Sequence, residues 1–372
     1  MDHTPGQEPV KQGTALDPLP LPGPPRRPGI KDVAALAGVS WKTVSNVING
    51  SAPVREQTRA RVEAAVAELG YRPNLSGRHL RQGRSHLLAL AFPEIRNPYF
   101  ADLAHAVILT AQEHGYTVLI DETFADAGRE RVVAEGFHVH LLDGVLFSPQ
   151  ALALHDVVAV RGNLPMVMIG EHALPARGEP AVVDHVVIDN TASAREATAH
   201  LLETGRRRIA FLGGEAGLSS GTGALRRAGY EAALNAAGLT ATSTFLAAQY
   251  TRPVGAATVS AGIAAFQGPD AIDALLCAND QLAVGAMHAL REAGLRVPQD
   301  VAVLGWDDIE EGRYSHPTLT SVSPDVEALA QLAVELLVSR IEGSREPPRV
   351  HIVAHTLEVR ESTAPATPAP TA

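Results

Sequence analysis

Residues 30–49 read IKDVAALAGVSWKTVSNVIN, and this stretch decides how the N-terminal part of the chain is organised. Ile30, Val33, Ala34 and Ala37 recur at i, i+3, i+4 and i+7, the spacing of one apolar helical stripe. Gly38 follows, a residue able to take the left-handed conformation that ends a helix. Ser40 then stands where an N-cap belongs, just ahead of Trp41. Val44, Val47 and Ile48 turn inward on the next helix, which leaves Trp41, Lys42, Thr43, Ser45 and Asn46 near its N-terminal end and outer face. Two short helices joined by a tight turn, the second with a polar outer face, make a helix-turn-helix shaped for a DNA groove. Helix N-termini and hydroxyls suit phosphate; Lys, Asn and an aromatic edge suit bases. Glu56–Leu69 reads as a third helix with Val62, Ala65, Val66 and Leu69 inward, closed by Gly70.

Charge supports a basic head on an acidic body. Residues 29–84 hold nine Lys or Arg against four acids, a balance of +5, within a chain of net charge −10. The remainder therefore carries −15, so one end faces phosphate while the rest repels it. At 372 residues, 45% of them hydrophobic, the chain can fill two or three domains with substantial cores. No run of about 18 apolar residues suggests a membrane span. The N-terminus lacks the basic start and apolar core of a secretory signal. The single cysteine, Cys277, permits no intrachain disulfide and no zinc or iron–sulfur cluster. These features point to a cytoplasmic protein without a cofactor.

From Leu87 onward the pattern alternates between strands and helices. Short apolar runs include LLALAF (87–92), YTVLI (116–120), GVLF (144–147), MVMIG (166–170), RIAFLGG (208–214), ALLCAND (274–280) and VAVLGWDD (301–308). Amphipathic stretches lie between them, among them Phe100–His114, Thr191–Glu203, Ala224–Ala236, Asp280–Ala293 and Pro324–Ile341. Alternation of this kind gives parallel α/β sheets, and about 270 residues of it fit two Rossmann-like lobes with a cleft between them. Ligands of such sheets sit at the carboxyl ends of the strands. Residues 1–28 and the tail 362–372 are rich in Pro and small residues and read as disordered; the tail holds no leucine heptad.

The blocks DVAALAGVS, TVSNVING, TRARVEAAVAELGYRPN and LSGRHLRQGRS, followed by PEIRNPYF, DGVLFSP, HLLETGRRRIAFLGG, RRAGYEAAL, CANDQLAVGAM, VPQDVAVLGWDD and PTLTSV, resemble the lactose-repressor (LacI/GalR) family of bacterial transcription regulators, in family order over roughly residues 29–361. The resemblance implies a helix-turn-helix domain (29–73), a hinge helix or linker (74–85) and an effector-binding and dimerisation domain (86–361) like a periplasmic sugar-binding protein. Its N-lobe would comprise about 86–188 and 321–349, its C-lobe about 189–320 and 350–361. It also implies a homodimer on double-stranded operator DNA, controlled by a small molecule, with sugar-like effectors ahead of nucleosides.

Residue by residue, the resemblance puts Trp41, Lys42 and Asn46 at base-reading positions and Thr43 and Ser45 at phosphate-contacting ones. Asn74 begins the hinge, and Leu80 matches a leucine that wedges into the minor groove. Gly77 stands where the family usually has Ala, and Arg55 where it often has a Ser able to cap helix three. In the body, Arg226 matches the effector-clamping arginine and Tyr250 a stacking aromatic. Asn279 and Asp307 end strands at the cleft, Tyr99 and Phe100 supply apolar walls, and Glu171 follows MVMIG. Gly170 falls where some sugar-binding members carry an Asp.

Competing chemistries find little support. His138 and His140 share a strand face but lack a third ligand, so no metal site is expected. GGEAGLSSGTG fits neither a dinucleotide fingerprint nor a P-loop, and no GxSxG context appears. The chain reads as a regulator and not an enzyme. A transporter-feeding solute-binding protein would share the body, but the basic head and missing export signal speak against it.

Overall fold

The periodicity of the first stretch becomes three helices: α1 (Ile30–Ala37), α2 (Trp41–Asn49) and α3 (Glu56–Leu69). In this computed structural model the described residues are 28–49, 52–71, 84–136, 141–175, 178–214, 221–241, 243–247 and 249–364. They fall into two units, a helical head and an α/β body. Asn74, Gly77, Leu80, His138 and His140 lie outside the described residues.

Val33, Ala34, Ala37, Val44, Val47, Val62 and Ala65 form the head's core. Gly38 adopts φ +64°, and the Val39 N–H donates to the Ala34 carbonyl at 3.1 Å, closing α1 as its sequence suggests. The Ser40 hydroxyl accepts from the Thr43 N–H at 3.1 Å, the first-turn cap of α2. Arg61 of α3 reaches back to the carbonyls of Ala37 (2.7 Å) and Gly38 (3.1 Å), so a cation satisfies the orphan acceptors at the end of α1. Helix α3, in contrast, begins at Arg55 with no side-chain cap. Arg55→Ser is therefore expected to stabilise α3 by about 1 kcal/mol. Amide exchange along 56–69 in the full chain checks this, and unchanged protection would refute it.

The body holds two six-stranded sheets. The N-lobe sheet uses β1 (Leu87–Phe92), β2 (Thr117–Glu122), β3 (Gly144–Phe147), β4 (Met166–Ile169), β5 (Asp184–Ile188) and β11 (Val350–Val353), in the order β11-β5-β4-β3-β1-β2, all parallel. The C-lobe sheet uses β6 (Ile209–Leu212), β7 (Thr244–Phe245), β8 (Ala274–Cys277), β9 (Ala302–Trp306), β10 (Thr320–Pro324) and β12 (His355–Glu358) in the order β12-β10-β9-β8-β6-β7. Only its β10–β12 pair is antiparallel. Nearly every central strand is buried on both faces, as sheets covered by helices require. The α-helices described in the body are α4 (Pro98–Glu113), α5 (Ala127–Ala134), α6 (Leu154–Val160), α7 (Asn190–Glu203), α8 (Thr222–Ala236), α9 (Arg252–Ala261), α10 (Asp280–Glu292), α11 (Glu310–Arg313) and α12 (Val326–Ile341). Gly115, Gly205, Gly238, Gly294 and Gly343, just past helix ends, all take positive φ. Among the described residues no helix is long and apolar enough to cross a membrane.

Three expectations need correction. Residues 321–324 belong to the C-lobe, where Thr320, Ser321 and Val322 pair with β9, and 350–353 belong to the N-lobe, paired with β5. The chain thus crosses between lobes three times through single residues, Asp189, Asp325 and Ala354. Short flanking strands of similar composition gave no signal for which sheet each joins. Pro324 ends β10 and does not start a helix; Asp325 caps α12 by accepting from the Ala328 N–H at 2.9 Å. Finally, residues 362–364 of the expected tail are packed against the C-lobe, while 365–372 lie outside the described residues. Ser362 and Thr363 are fully buried, with the Ser362 hydroxyl donating to Val303 O at 2.6 Å and accepting from the Thr320 N–H at 2.8 Å. Small hydroxyl side chains let a sequence of low hydrophobicity tuck against the sheet through hydrogen bonds, not apolar burial.

Candidate functional site

In the head, the first turn of α2 presents its polar residues outward. Trp41 is 51% exposed and Lys42 is exposed, while Thr43, Ser45 and Asn46 are partly buried. The Trp41 indole therefore leaves much of its large apolar surface in water. The Thr43 hydroxyl is hydrogen-bonded to that of Ser40 at 2.9 Å, which orients it beside the helix N-terminus.

In the body, the carboxyl ends of both sheets converge on a cavity of about 720 Å³. Tyr99, Phe100, Glu171, Arg226, Tyr250, Asn279 and Asp307 all line it, although they come from six separated positions of the chain. Arg226, on α8, is the centre of the charge arrangement and is only 7% exposed. Its Nε donates to Asn190 Oδ1 at 2.7 Å, its Nη1 donates to the Ala278 carbonyl, and its guanidinium lies 4.0 Å from the centroid of Trp306. A buried guanidinium is costly unless hydrogen-bonded and stacked, and these three partners fix its plane. Burial pulls the Arg226 pKa down, while Asp307 and Glu171 oppose the shift.

The two carboxylates differ in their surroundings. Glu171 accepts from the Ile188 N–H at 3.1 Å and the Thr222 hydroxyl at 3.2 Å; burial pushes its pKa up against those hydrogen bonds. Burial pushes Asp307 further, to about 7, with Arg226 pulling down and Glu171 adding to the rise. Asp307 also has φ +102° and Asp308 φ +53°, a strained pair at the end of β9. The strain turns the two side chains to different tasks. Asp308 is paired with Arg313 at 2.8 Å and Arg360 at 2.6 Å and is structural, whereas Asp307 faces the cavity.

Two lining residues have prior duties. Asn279 caps α10 by accepting from the Leu282 N–H at 2.9 Å and donates to the Tyr250 carbonyl at 3.3 Å. The Tyr250 hydroxyl accepts from the Gly214 N–H at 3.0 Å. Phe100 stacks on core Phe92 at 5.3 Å and meets Tyr99 edge-on at 5.2 Å, so that wall is rigid. Gly170 lines the cavity with φ +90°, so a side chain there would strain the backbone.

Several residues escaped the sequence reading. Trp306 and Asn190, which hold Arg226, and Glu94, Ser148, Gln150 and His172, which line the cavity, were not singled out. Their only available signal was position: most follow the carboxyl end of a strand. Asp280, next to the lining residue Asn279, is fully buried, accepting from Ser321 Oγ (2.7 Å) and the Ile309 N–H (2.9 Å), and burial drives its pKa well above the ordinary range. Among the described residues no group of three or more His, Cys, Asp or Glu is placed to hold a metal ion.

Comparison with known proteins agrees with this architecture. Residues 29–74 match the family described as bacterial regulatory proteins, lacI family, and 198–363 match the periplasmic binding protein-like domain. The transcriptional regulator CelR of Thermobifida fusca is 36% identical over 358 residues, covering 91% of this chain and 98% of its own. The lac repressor dimer bound to operator superposes with a TM-score of 0.79 at 27% identity, over 91% of this chain and 99% of its own. A CelR–cellobiose complex gives 0.63 at 32% identity, over 90% and 100%. A head with an outward-facing second helix, a two-lobed body with a central cavity, and this extent of identity lead to one conclusion: the chain belongs to the lacI family of bacterial transcriptional regulators.

Proposed function

We propose that the protein is a homodimeric repressor whose heads each read half of a near-palindromic operator, and whose cavity takes a sugar-like effector. Trp41, Lys42 and Asn46 read base edges in the major groove; Thr43 and Ser45 hold phosphates. Asn74 and Leu80 act in the hinge, with Leu80 wedging the minor groove. Arg226, Asp307 and Glu171 bind effector hydroxyls, Tyr99, Phe100 and Tyr250 supply apolar faces, and Asn279 positions the floor. The CelR–cellobiose complex supports a saccharide, and the lac repressor dimer on its operator supports the assembly. The protein works in the cytoplasm, on the nucleoid, and catalyses no reaction.

The observation that carries this reading is Arg226, buried in the cavity lining, held by Asn190, the Ala278 carbonyl and Trp306, and in the field of Asp307 and Glu171. Fixed planar donors and acceptors of this kind select hydroxyl geometry. Occupancy shifts operator affinity only through a difference in effector affinity between lobe arrangements. The test is duplex selection from a random library by the full-length protein, then anisotropy titration of the selected operator with a saccharide panel. A change of tenfold or more with one saccharide is expected; no sequence-preferring duplex binding would refute the reading.

Asp307 adds a pH signature. With a pKa of about 7 it is half protonated near neutrality. A hydroxyl donates more strongly to a carboxylate than to the acid, so effector affinity is expected to rise as pH climbs from about 6 to about 8, by up to about tenfold. Asp307→Asn should flatten that rise in calorimetric titrations, and a wild-type profile that is already flat would count against it. Stability moves the other way: between the ordinary carboxylate range and about 7 the folded state holds a proton that the unfolded state releases, so this contribution falls as pH rises.

A further inference from the structure

We propose that Asp143 is a positioning residue that carries the state of the cavity to the linker, by tying the linker's end to β3, a strand whose far end is a cavity wall. The inference rests on the effector-controlled reading above and assigns its regulation to a residue. Asp143 stands immediately before β3. Its Oδ1 accepts from the Ser85 N–H at 2.7 Å and the Ser85 hydroxyl at 2.9 Å, and its Oδ2 accepts from the His86 N–H at 2.8 Å. Arg84 and Ser85 close the stretch 74–85 that the sequence marks as the linker, and β1 begins at Leu87. One carboxylate thus holds the point at which linker becomes sheet.

The junction is held in one conformation. His86 takes φ +57°, a left-handed backbone that is costly for a residue with a side chain. Such strain persists only where the surroundings over-determine it. Here the His86 N–H is fixed by Asp143, and the His86 carbonyl accepts from the Thr117 N–H at 2.9 Å. The Ser85 hydroxyl, besides donating to Asp143, accepts from the Leu87 N–H at 3.1 Å. Arg84 adds a second tie: its Nη2 donates to the Ile341 carbonyl at 3.4 Å and its Nη1 lies 4.0 Å from Glu342, at the carboxyl end of α12. That ion pair is exposed and contributes direction more than energy.

Two members run from this junction to the cavity without slack. The first is β3, buried along its whole length between β1 and β4; Ser148, just beyond it, lines the cavity, about 17 Å along the strand from Asp143. The loop that follows is clamped as firmly as the junction. Glu130 of α5 is fully buried, and its carboxylate accepts from the N–H groups of Gln150 at 2.7 Å, Ala151 at 3.0 and 3.1 Å, and Leu152 at 2.8 Å; Gln150 and Ala151 line the cavity. The strand is therefore held by a carboxylate at each end. The second member is α12, with Leu329 on the cavity and Ile341 under Arg84. The two members touch at Gly144, where a Cβ would fall 2.8 Å from Leu337 Cδ1 and 3.1 Å from Ile341 Cδ1. Close-packed rigid elements pass a displacement on instead of absorbing it, so a shift of the cavity wall reaches Asp143 and, through it, the linker.

The test measures a coupling factor: the ratio of operator affinities of the full-length protein, by anisotropy, with and without saturating glucose, galactose, cellobiose, maltose or lactose. One of these sugars is expected to give the unaltered protein a factor of tenfold or more. Asp143→Ala should reduce that factor to about threefold or less, while calorimetric affinity of the DNA-free protein for the same sugar stays within about twofold and sugar-free operator affinity within a few-fold. By reciprocity, sugar affinity of the operator-bound variant should approach that of the DNA-free variant. A purely structural anchor would lower thermal stability and leave the factor alone. Ser85→Ala, which removes only the hydroxyl, should give an intermediate factor, and it decides the matter if Asp143→Ala fails to fold. A factor unchanged in both variants, or lost only in step with sugar affinity, would overturn the role of Asp143 and leave the effector reading standing. An unaltered protein whose operator affinity responds to none of the sugars would overturn both.

Discussion

Arg226→Ala is expected to leave the protein bound to its operator at effector concentrations that saturate the unaltered protein. Arg226 touches both sides of the site: it faces Asp307 and Glu171 while anchored to Asn190, the Ala278 carbonyl and the face of Trp306. Truncation removes the charge that balances two carboxylates and deletes the donors that give the cavity its hydroxyl-reading geometry. Removing a buried charge that offsets nearby carboxylates costs roughly 2–5 kcal/mol, which corresponds to a loss in effector affinity of about 30-fold to a few thousand-fold. Operator affinity without effector should stay within a few-fold, because Arg226 belongs to the body unit and the base-reading face belongs to the head. Arg226→Lys is the informative companion. It keeps the charge but not the planar fork that reaches Asn190 and Ala278 while stacking on Trp306, so an intermediate loss is expected. Calorimetry for the effector and anisotropy for the operator separate these outcomes, and a normal effector response in Arg226→Ala would remove the arginine from the site.

The second large effect is expected at Lys42. Its side chain is exposed in the first turn of α2 and takes no part in the head's core. Alanine favours helix, so head stability should hold. A lysine at a base edge is worth about 1–3 kcal/mol of discrimination, and a homodimer presents it twice. Lys42→Ala should therefore weaken operator binding by about 2–6 kcal/mol, from about 30-fold to about 2 × 10⁴-fold. The salt dependence distinguishes its partner. If Lys42 reads a base, preference at one position of each half-site relaxes and the slope of log K against log salt changes little. If it holds a phosphate, all sequences weaken together and the slope falls by about one unit per lysine lost. Operator affinity within twofold of the unaltered protein would exclude both roles.

The head was legible because its signals are local. The stripe through Ile30, Val33, Ala34 and Ala37, the left-handed Gly38 and the Ser40 cap all act within a turn or two, and each appears where its spacing places it. The strands LLALAF and GVLF were equally plain, since a strand buried on both faces is a short apolar run. The cavity was legible only in part. Asn279 and Asp307 could be placed because they end strands, but residues that act through non-local contacts left no pattern. Trp306 looks like any core aromatic until Arg226 is seen above its face, and Glu130 looks like a surface acid on α5 until three N–H groups are seen converging on it. The sheet partners of 320–324 and 350–353 depended on pairing across more than a hundred residues for β11, information that no local window contains.

The three single-residue crossings at Asp189, Asp325 and Ala354 also govern the order in which the molecule can be assembled. Neither lobe is a continuous piece of chain: the first acquires its last strand only at 350–353, after nearly all of the second has been made. During synthesis the N-terminal unit can finish early, with its core complete by residue 71. The regulatory portion must wait for the final stretch to leave the ribosome. A transcript broken late would thus yield a reader without its controller, while no truncation ahead of residue 350 could leave either sheet complete.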